Sequence, residues 1–249
     1  MHRFIQAQKD NFDRGCQGEI FRELVGTLDQ AYRTIIDRHN PDTPQIFGRL
    51  LLICHKSMLA AATLIAQSQP DDSVGITRRA VEAAKVALAV KLNDDNAQQW
   101  VSFPERHDRW IRRQQNEKPR PFHVQFKDLK ADPVVEDLDR FLGILSDAYV
   151  HFTPEYYSSL DWAERRKPDG GGVIVLNYFH RDAREAERHF IMLAAVHGVI
   201  LKAFDRCFDG GISSDPEMSA TVNEFWKSGK SINDGYQRRY GIAPEPDLG

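Results

Sequence analysis

Cysteine is scarce in this 249-residue chain: Cys16, Cys54 and Cys207 are odd in number, far apart, and form no CxxC pair. A disulfide framework and a zinc ribbon are excluded on that count, and a reducing cytoplasm is the expected compartment. An excess of one charge is also lacking. With 33 Lys+Arg against 36 Asp+Glu, the net charge of −3 does not describe a broadly basic nucleic-acid binder. Nor is there a long hydrophobic run. The most apolar stretch, residues 46–66, is interrupted by Arg49, His55 and Lys56, whereas a membrane span needs about 20 nearly uncharged apolar residues. The first ten residues contain no apolar core of signal-peptide length. The expectation is a cytoplasmic protein without membrane contact.

Several chemistries are missing as well. None of the nine histidines has a glutamate three residues before it, so the Glu-x-x-His pair of di-iron bundles is absent. No HExxH, P-loop, GxSxG or GxGxxG pattern occurs. Neither a metal nor a cofactor is expected.

What is present is helical periodicity. Ile20, Leu24, Leu28, Ala31 and Ile35 form one apolar stripe at three-to-four spacing, and Asn40-Pro41 ends it. A second helix, about 44–69, is apolar nearly all round and should lie at the centre. A third, ending near residue 93, carries Val74, Thr77, Val81, Ala84, Leu88 and Leu92, with Ala80, Ala83 and Ala87 beside them. Such small side chains suit close helix packing. An irregular helical piece follows at about 96–115. Asp132-Pro133 caps a fifth helix, a sixth runs through about 182–208, and a shorter one covers about 215–227. Between the fifth and sixth, Lys167-Pro168-Asp169-Gly170-Gly171-Gly172 suggests the tip of a β-hairpin over about 156–179. The expected product is an all-α bundle of six or seven helices with a small β-hairpin insertion. It forms a single domain over 1–240, followed by a polar tail at 241–249.

Three constellations carry chemistry. Arg78 and Glu82 sit four apart on the third helix, spaced to pair and to present the guanidinium to an anion. His151 follows the fifth helix and has the ordinary pKa of a general acid or base near neutrality. Arg106, Arg109 and Arg113, with Trp110 among them, could share a helix face that contacts phosphates and stacks on a base. His197, on the apolar face of the sixth helix, is expected to be a core histidine with its bonds satisfied.

The helix and break leading to Arg78-Arg79-Ala80-Val81-Glu82, together with Leu145-Ser146 before His151-Phe152-Thr153, resemble an uncharacterised bacterial helical family of the HEPN-like class, over about 48–204. The resemblance implies a helical domain. In catalytic members it implies a metal-independent ribonuclease with an Arg-x(4–6)-His motif, arginine stabilising phosphorane charge and histidine handling the 2′-hydroxyl proton. Arg33/His39, Arg49/His55 and Arg184/His189 match that spacing. About 2.4 such matches arise from composition alone, so position must choose among them, and Arg184/His189 on a late helix is the preferred pair.

Three functions remain open. The favoured one is a non-catalytic HEPN-like binding or assembly protein, homodimeric through the alanine-rich third helix, with RNA a further candidate partner. The alternatives are an RNA endonuclease, as a toxin or defence effector, and a small-molecule sensor built around Arg78, Glu82 and His151.

Overall fold

The computed structural model describes residues 2–38, 44–92, 98, 132–146, 162–166, 172–176 and 183–241. Among these residues are seven α-helices: α1 (His2–Gln17), α2 (Gly26–Arg38), α3 (Gln45–Ala66), α4 (Pro70–Leu92), α5 (Pro133–Leu145), α6 (Ala183–Cys207) and α7 (Pro216–Tyr240). A π-helical turn, Phe21–Val25, leads into α2, and a 3-10 turn, Ile212–Ser214, precedes α7. The fold is an all-α bundle. Apart from the helices, β1 (Trp162–Arg166) and β2 (Gly172–Leu176) pair antiparallel, with Trp162 opposite Leu176 and Arg166 opposite Gly172.

The helices form where the apolar spacing puts a continuous stripe on one side. Leu24, Leu28, Ala31 and Ile35 are buried, as are Leu51, Cys54, Met58, Ala61 and Ile65 of α3. By length and composition α3 could cross a membrane, but 56% of its most apolar stretch is buried inside the molecule, as befits a core helix. Three residues join α3 to α4, so the two pack as a helical hairpin. Its turn is closed by Gln69 N–H donating to the Leu64 carbonyl and Ser68 N–H to that of Ile65, both 2.9 Å. This is the Schellman arrangement, with Ser68 at φ 64° where glycine is usual.

The alanines of α4 have a use within the chain. Ala80, Ala84 and Ala87 have no exposed surface and Ala83 has 8%, and α3 is the helix most closely packed on α4. The small side chains let the two backbones approach. The alanine seam is therefore buried within the chain.

Two helix starts are set by acidic caps. Asp132 accepts from Val134 N–H at 2.8 Å ahead of α5, and Asp215 accepts from Glu217 and Met218 N–H at 2.9 and 3.0 Å ahead of α7. Arg38, at the end of α2, grips both Asp215 (3.0 Å) and Glu217 (2.6 Å), tying α2 to the start of α7. The α6 helix ends at Gly210 and Gly211, whose φ values of 81° and 73° no other residue adopts easily.

Two elements differ from the sequence expectation. The N-terminal helix α1 was not anticipated, since its sequence is mostly polar; Phe12 and Cys16 extend the i, i+4 stripe backward from Ile20 and pack on the core. The last helix does not stop near residue 227 but continues to Tyr240, through Gly229 and Gly235. Buried Phe225, Ile232 and Tyr236 hold it to the bundle and override the weak helix propensity of glycine. The expected helical piece at 96–115 lies outside the described residues apart from Gln98.

The crossing of α1 over α3 rests on Gly15, where a Cβ would lie 2.5 Å from the Ala66 carbonyl oxygen. Gly15→Ala should therefore destabilise the fold by about 1–3 kcal/mol. Gly75→Ala, in open space on α4, should stabilise it by about 0.4–1 kcal/mol. Urea denaturation of the two variants checks both signs.

Candidate functional site

Two features stand out, a polar cluster inside the bundle and a cavity at one end of it.

The cluster joins α2, α3 and α6. His55 Nε2 donates to Asp29 Oδ1 at 2.6 Å, and Arg33 Nε donates to the other oxygen of the same carboxylate at 2.8 Å. Helical spacing puts Asp29 and Arg33 one turn apart and Tyr32 beside them. The Tyr32 ring stacks on His55 at a centroid distance of 5.2 Å and meets His197 edge-on at 5.7 Å. Its hydroxyl lies 2.7 Å from His197 Nδ1. The chain of groups thus runs from an exposed arginine through a half-buried carboxylate to a wholly buried histidine.

Burial and the partners decide the charges. Desolvation pulls the Asp29 carboxyl upward, but hydrogen bonds from His55 and Arg33 and the arginine charge outweigh it, leaving it below its ordinary range. Burial, reinforced by His55, pushes His197 down to about 3, so it is neutral. Burial raises the Tyr32 phenol well above its ordinary value. His197 Nε2 has no hydrogen-bond partner among the described residues. Either tautomer leaves a mismatch, since Nδ1 can take the Tyr32 proton or donate its own, and one polar hydrogen is stranded in each case. The expected core histidine is found, but only one of its nitrogens is satisfied.

The cavity, partly open to solvent, spans about 810 Å³ between α1, the π-helical turn, the end of α3, the start of α6 and the end of α7. It exists because six wall positions carry little or no side chain: Ala7, Gly15, Gly18, Ala66, Ala183 and Ala186. Phe21 and Phe190 meet edge to face at 5.6 Å on its apolar side. Arg14, Glu19, Glu187 and Arg239 supply its charges. Arg239 Nη1 bonds both oxygens of Glu187, at 2.9 and 3.2 Å. The left-handed Ser68 and the π-helical Phe21 both border this space; irregular backbone of these two kinds gathers at functional sites.

The residues anticipated from sequence fare differently. Arg78 Nε and Glu82 Oε1 pair at 3.1 Å, on a solvated face. Lys85, close by on α4, is instead buried and paired with Asp139 of α5. Arg184 lies over the Tyr240 ring at 5.5 Å, whereas His189 is buried and its Nδ1–H donates to the Glu185 carbonyl at 2.8 Å. Five residues apart on a helix means about 140° around its axis, and the two side chains have separate surroundings. Arg49 reaches Gln45 while His55 bonds Asp29, so that spacing does not converge either. His39, His151, Arg106, Arg109, Trp110 and Arg113 lie outside the described residues. Sequence reasoning missed the meeting of Arg33 with His55, because it is made through Asp29 across two helices. It missed the cavity because alanine and glycine on polar helices give no pattern. Compared with known proteins, the chain matches no family model, no curated protein and no solved structure.

The neutral histidines set a pH dependence. The folded-state pKa of His197 is depressed from 6.5 to about 3, and that of His189 is also lowered by burial. Between these values the unfolded chain takes up protons that the folded chain refuses. For His197 stability is therefore whole above pH 6.5 and falls as pH drops toward 3, on the order of 1 kcal/mol per pH unit, and His189 adds a loss of the same sign. Asp29, held below its ordinary value, adds a further loss only as pH falls through the carboxylate range. Denaturation at pH 7.5, 6 and 5 measures the slope. It should become shallower in His197→Asn, which keeps an acceptor near the Tyr32 hydroxyl.

Proposed function

We propose that this chain is a non-catalytic binding protein of HEPN-like helical type, whose end cavity holds a small molecule with an apolar body. The cavity carries the proposal. Its volume of about 810 Å³ falls within the range of roughly 300–1,000 Å³ common to ligand pockets, which are mostly apolar with a few fixed polar groups. The wall of Phe21, Ile65 and Phe190 with Arg14, Glu19, Glu187 and Arg239 has that composition. This moves the small-molecule sensor idea away from Arg78 and Glu82, which face solvent. A homodimer and an RNA partner belong to the proposal as assembly states beyond the cavity.

The uncharged fluorophore N-phenyl-1-naphthylamine should bind saturably at one site per chain and brighten. Ala186→Trp, which fills the cavity, should abolish the signal while leaving the cooperative thermal transition in place. Ala7→Phe, at the α1 side of the cavity, repeats the test where the larger substitution disturbs packing. Equal binding to wild type and both variants would remove the cavity from the function.

A second reading, a metal-independent RNA endonuclease, has one observation behind it: Arg33 and His55 converge on the Asp29 carboxylate. A carboxylate that orients an imidazole beside an arginine is an arrangement used for proton transfer next to an anion. Cleavage of an RNA pool in EDTA that is present in wild type and lost in His55→Ala would support it. No cleavage by wild type would end it.

A further inference from the structure

We infer that the cavity ligand is a zwitterion, an apolar dipeptide or a molecule of that size with one carboxylate and one ammonium. This deepens the binding function proposed above and rests on it.

The inference comes from which wall charges are already neutralised. Arg239 and Glu187 satisfy each other across α6 and α7. Arg14 and Glu19 do not. Arg14 Nε donates to the Asp10 carbonyl at 3.2 Å and Nη2 to Asn11 Oδ1 at 2.5 Å. Both acceptors are neutral oxygens, and three of the five N–H donors have no partner among the described residues. Glu19 has neither an ion pair nor a hydrogen bond among them. The two opposite charges thus line one cavity without pairing with each other. Arg14 is held in place by contacts on its own helix, which is itself pinned by Asn11 Nδ2 donating to the Gln67 carbonyl (3.3 Å) and Gln8 to Gln69 (3.0 Å). Its free fork is shaped for a carboxylate.

Other ligand classes fit less well. An anion alone would leave Glu19 facing it, and an organic cation alone would leave Arg14. A purely apolar ligand would cover two unpaired charges. The volume exceeds that of a single amino acid and suits a body that can lie along Phe21, Ile65 and Phe190.

The test is titration calorimetry of the full chain with Leu-Phe, N-acetyl-Leu-Phe, which lacks the ammonium, and Leu-Phe-amide, which lacks the carboxylate. Each probe is also competed against N-phenyl-1-naphthylamine. Leu-Phe should bind about tenfold more tightly than either capped form, a modest ratio because both wall charges are reached by solvent. In Arg14→Met the advantage of Leu-Phe over the amide should vanish while that over the acetylated form remains. Glu19→Gln should do the reverse. Both side chains are exposed, so neither change endangers folding. If the fluorophore binds but the three peptides compete equally or not at all, the zwitterion is overturned and the cavity stands. If the fluorophore fails as well, the binding function itself falls.

Discussion

The contact on which the bundle's register depends is the one between the Tyr32 hydroxyl and His197 Nδ1, 2.7 Å apart with both side chains wholly buried. Apolar side chains tolerate sliding, because one buried methyl group replaces another at little cost. A buried hydroxyl facing a buried imidazole does not, since displacement by one helical turn would strand both without water or partner. His55 adds the third helix by stacking on the same Tyr32 ring and bonding Asp29. Two successive helices and a third more than a hundred residues away are thereby held in one relative position. The helix hairpin of α3 and α4 and the docking of α7 then build outward from it.

Against that rigid centre, the end of the molecule near α1 is built loosely in a different sense. Small side chains line a space that larger ones would close, and the surrounding backbone includes a π-helical turn and a left-handed serine. A close-packed interior leaves few voids larger than a water molecule. This space differs in being a cleft partly open to solvent and bordered by charged groups. The contact of Gly15 with Ala66 also shows that α1 comes as near to α3 as backbone atoms allow. The cavity therefore does not arise from a helix that fails to dock.

Much of the fold is legible in the residues. The stripe through Ile20, Leu24, Leu28 and Ile35, the apolar circumference of α3 and the Asp-Pro caps at 132–133 and 215–216 all lead to helices. The reason is that local hydrogen bonding and one-sided burial share the 3.6-residue period. The two misjudged helices show where local information ends. For α1 the apolar signal is thin, and for the second half of α7 two glycines weaken it. In both, docking onto a surface made by other segments supplies the missing stability.

The candidate site was far less legible. Arg-x(4–6)-His spacing singled out Arg184 with His189, yet one stacks on Tyr240 and the other bonds a backbone carbonyl. The pair that does converge, Arg33 with His55, belongs to two different matches of that spacing and meets through Asp29 on the helix of Arg33. The sequence by itself determined the helical class, most helix boundaries and the candidates for the core, because those follow from interactions within a few residues. Only the tertiary structure decided that the alanine seam of α4 is buried within the chain, that His197 is neutral, and which wall charges remain unpaired among the described residues. Each of these depends on what packs opposite a side chain from a distant helix, and periodicity along one helix holds no record of its neighbour.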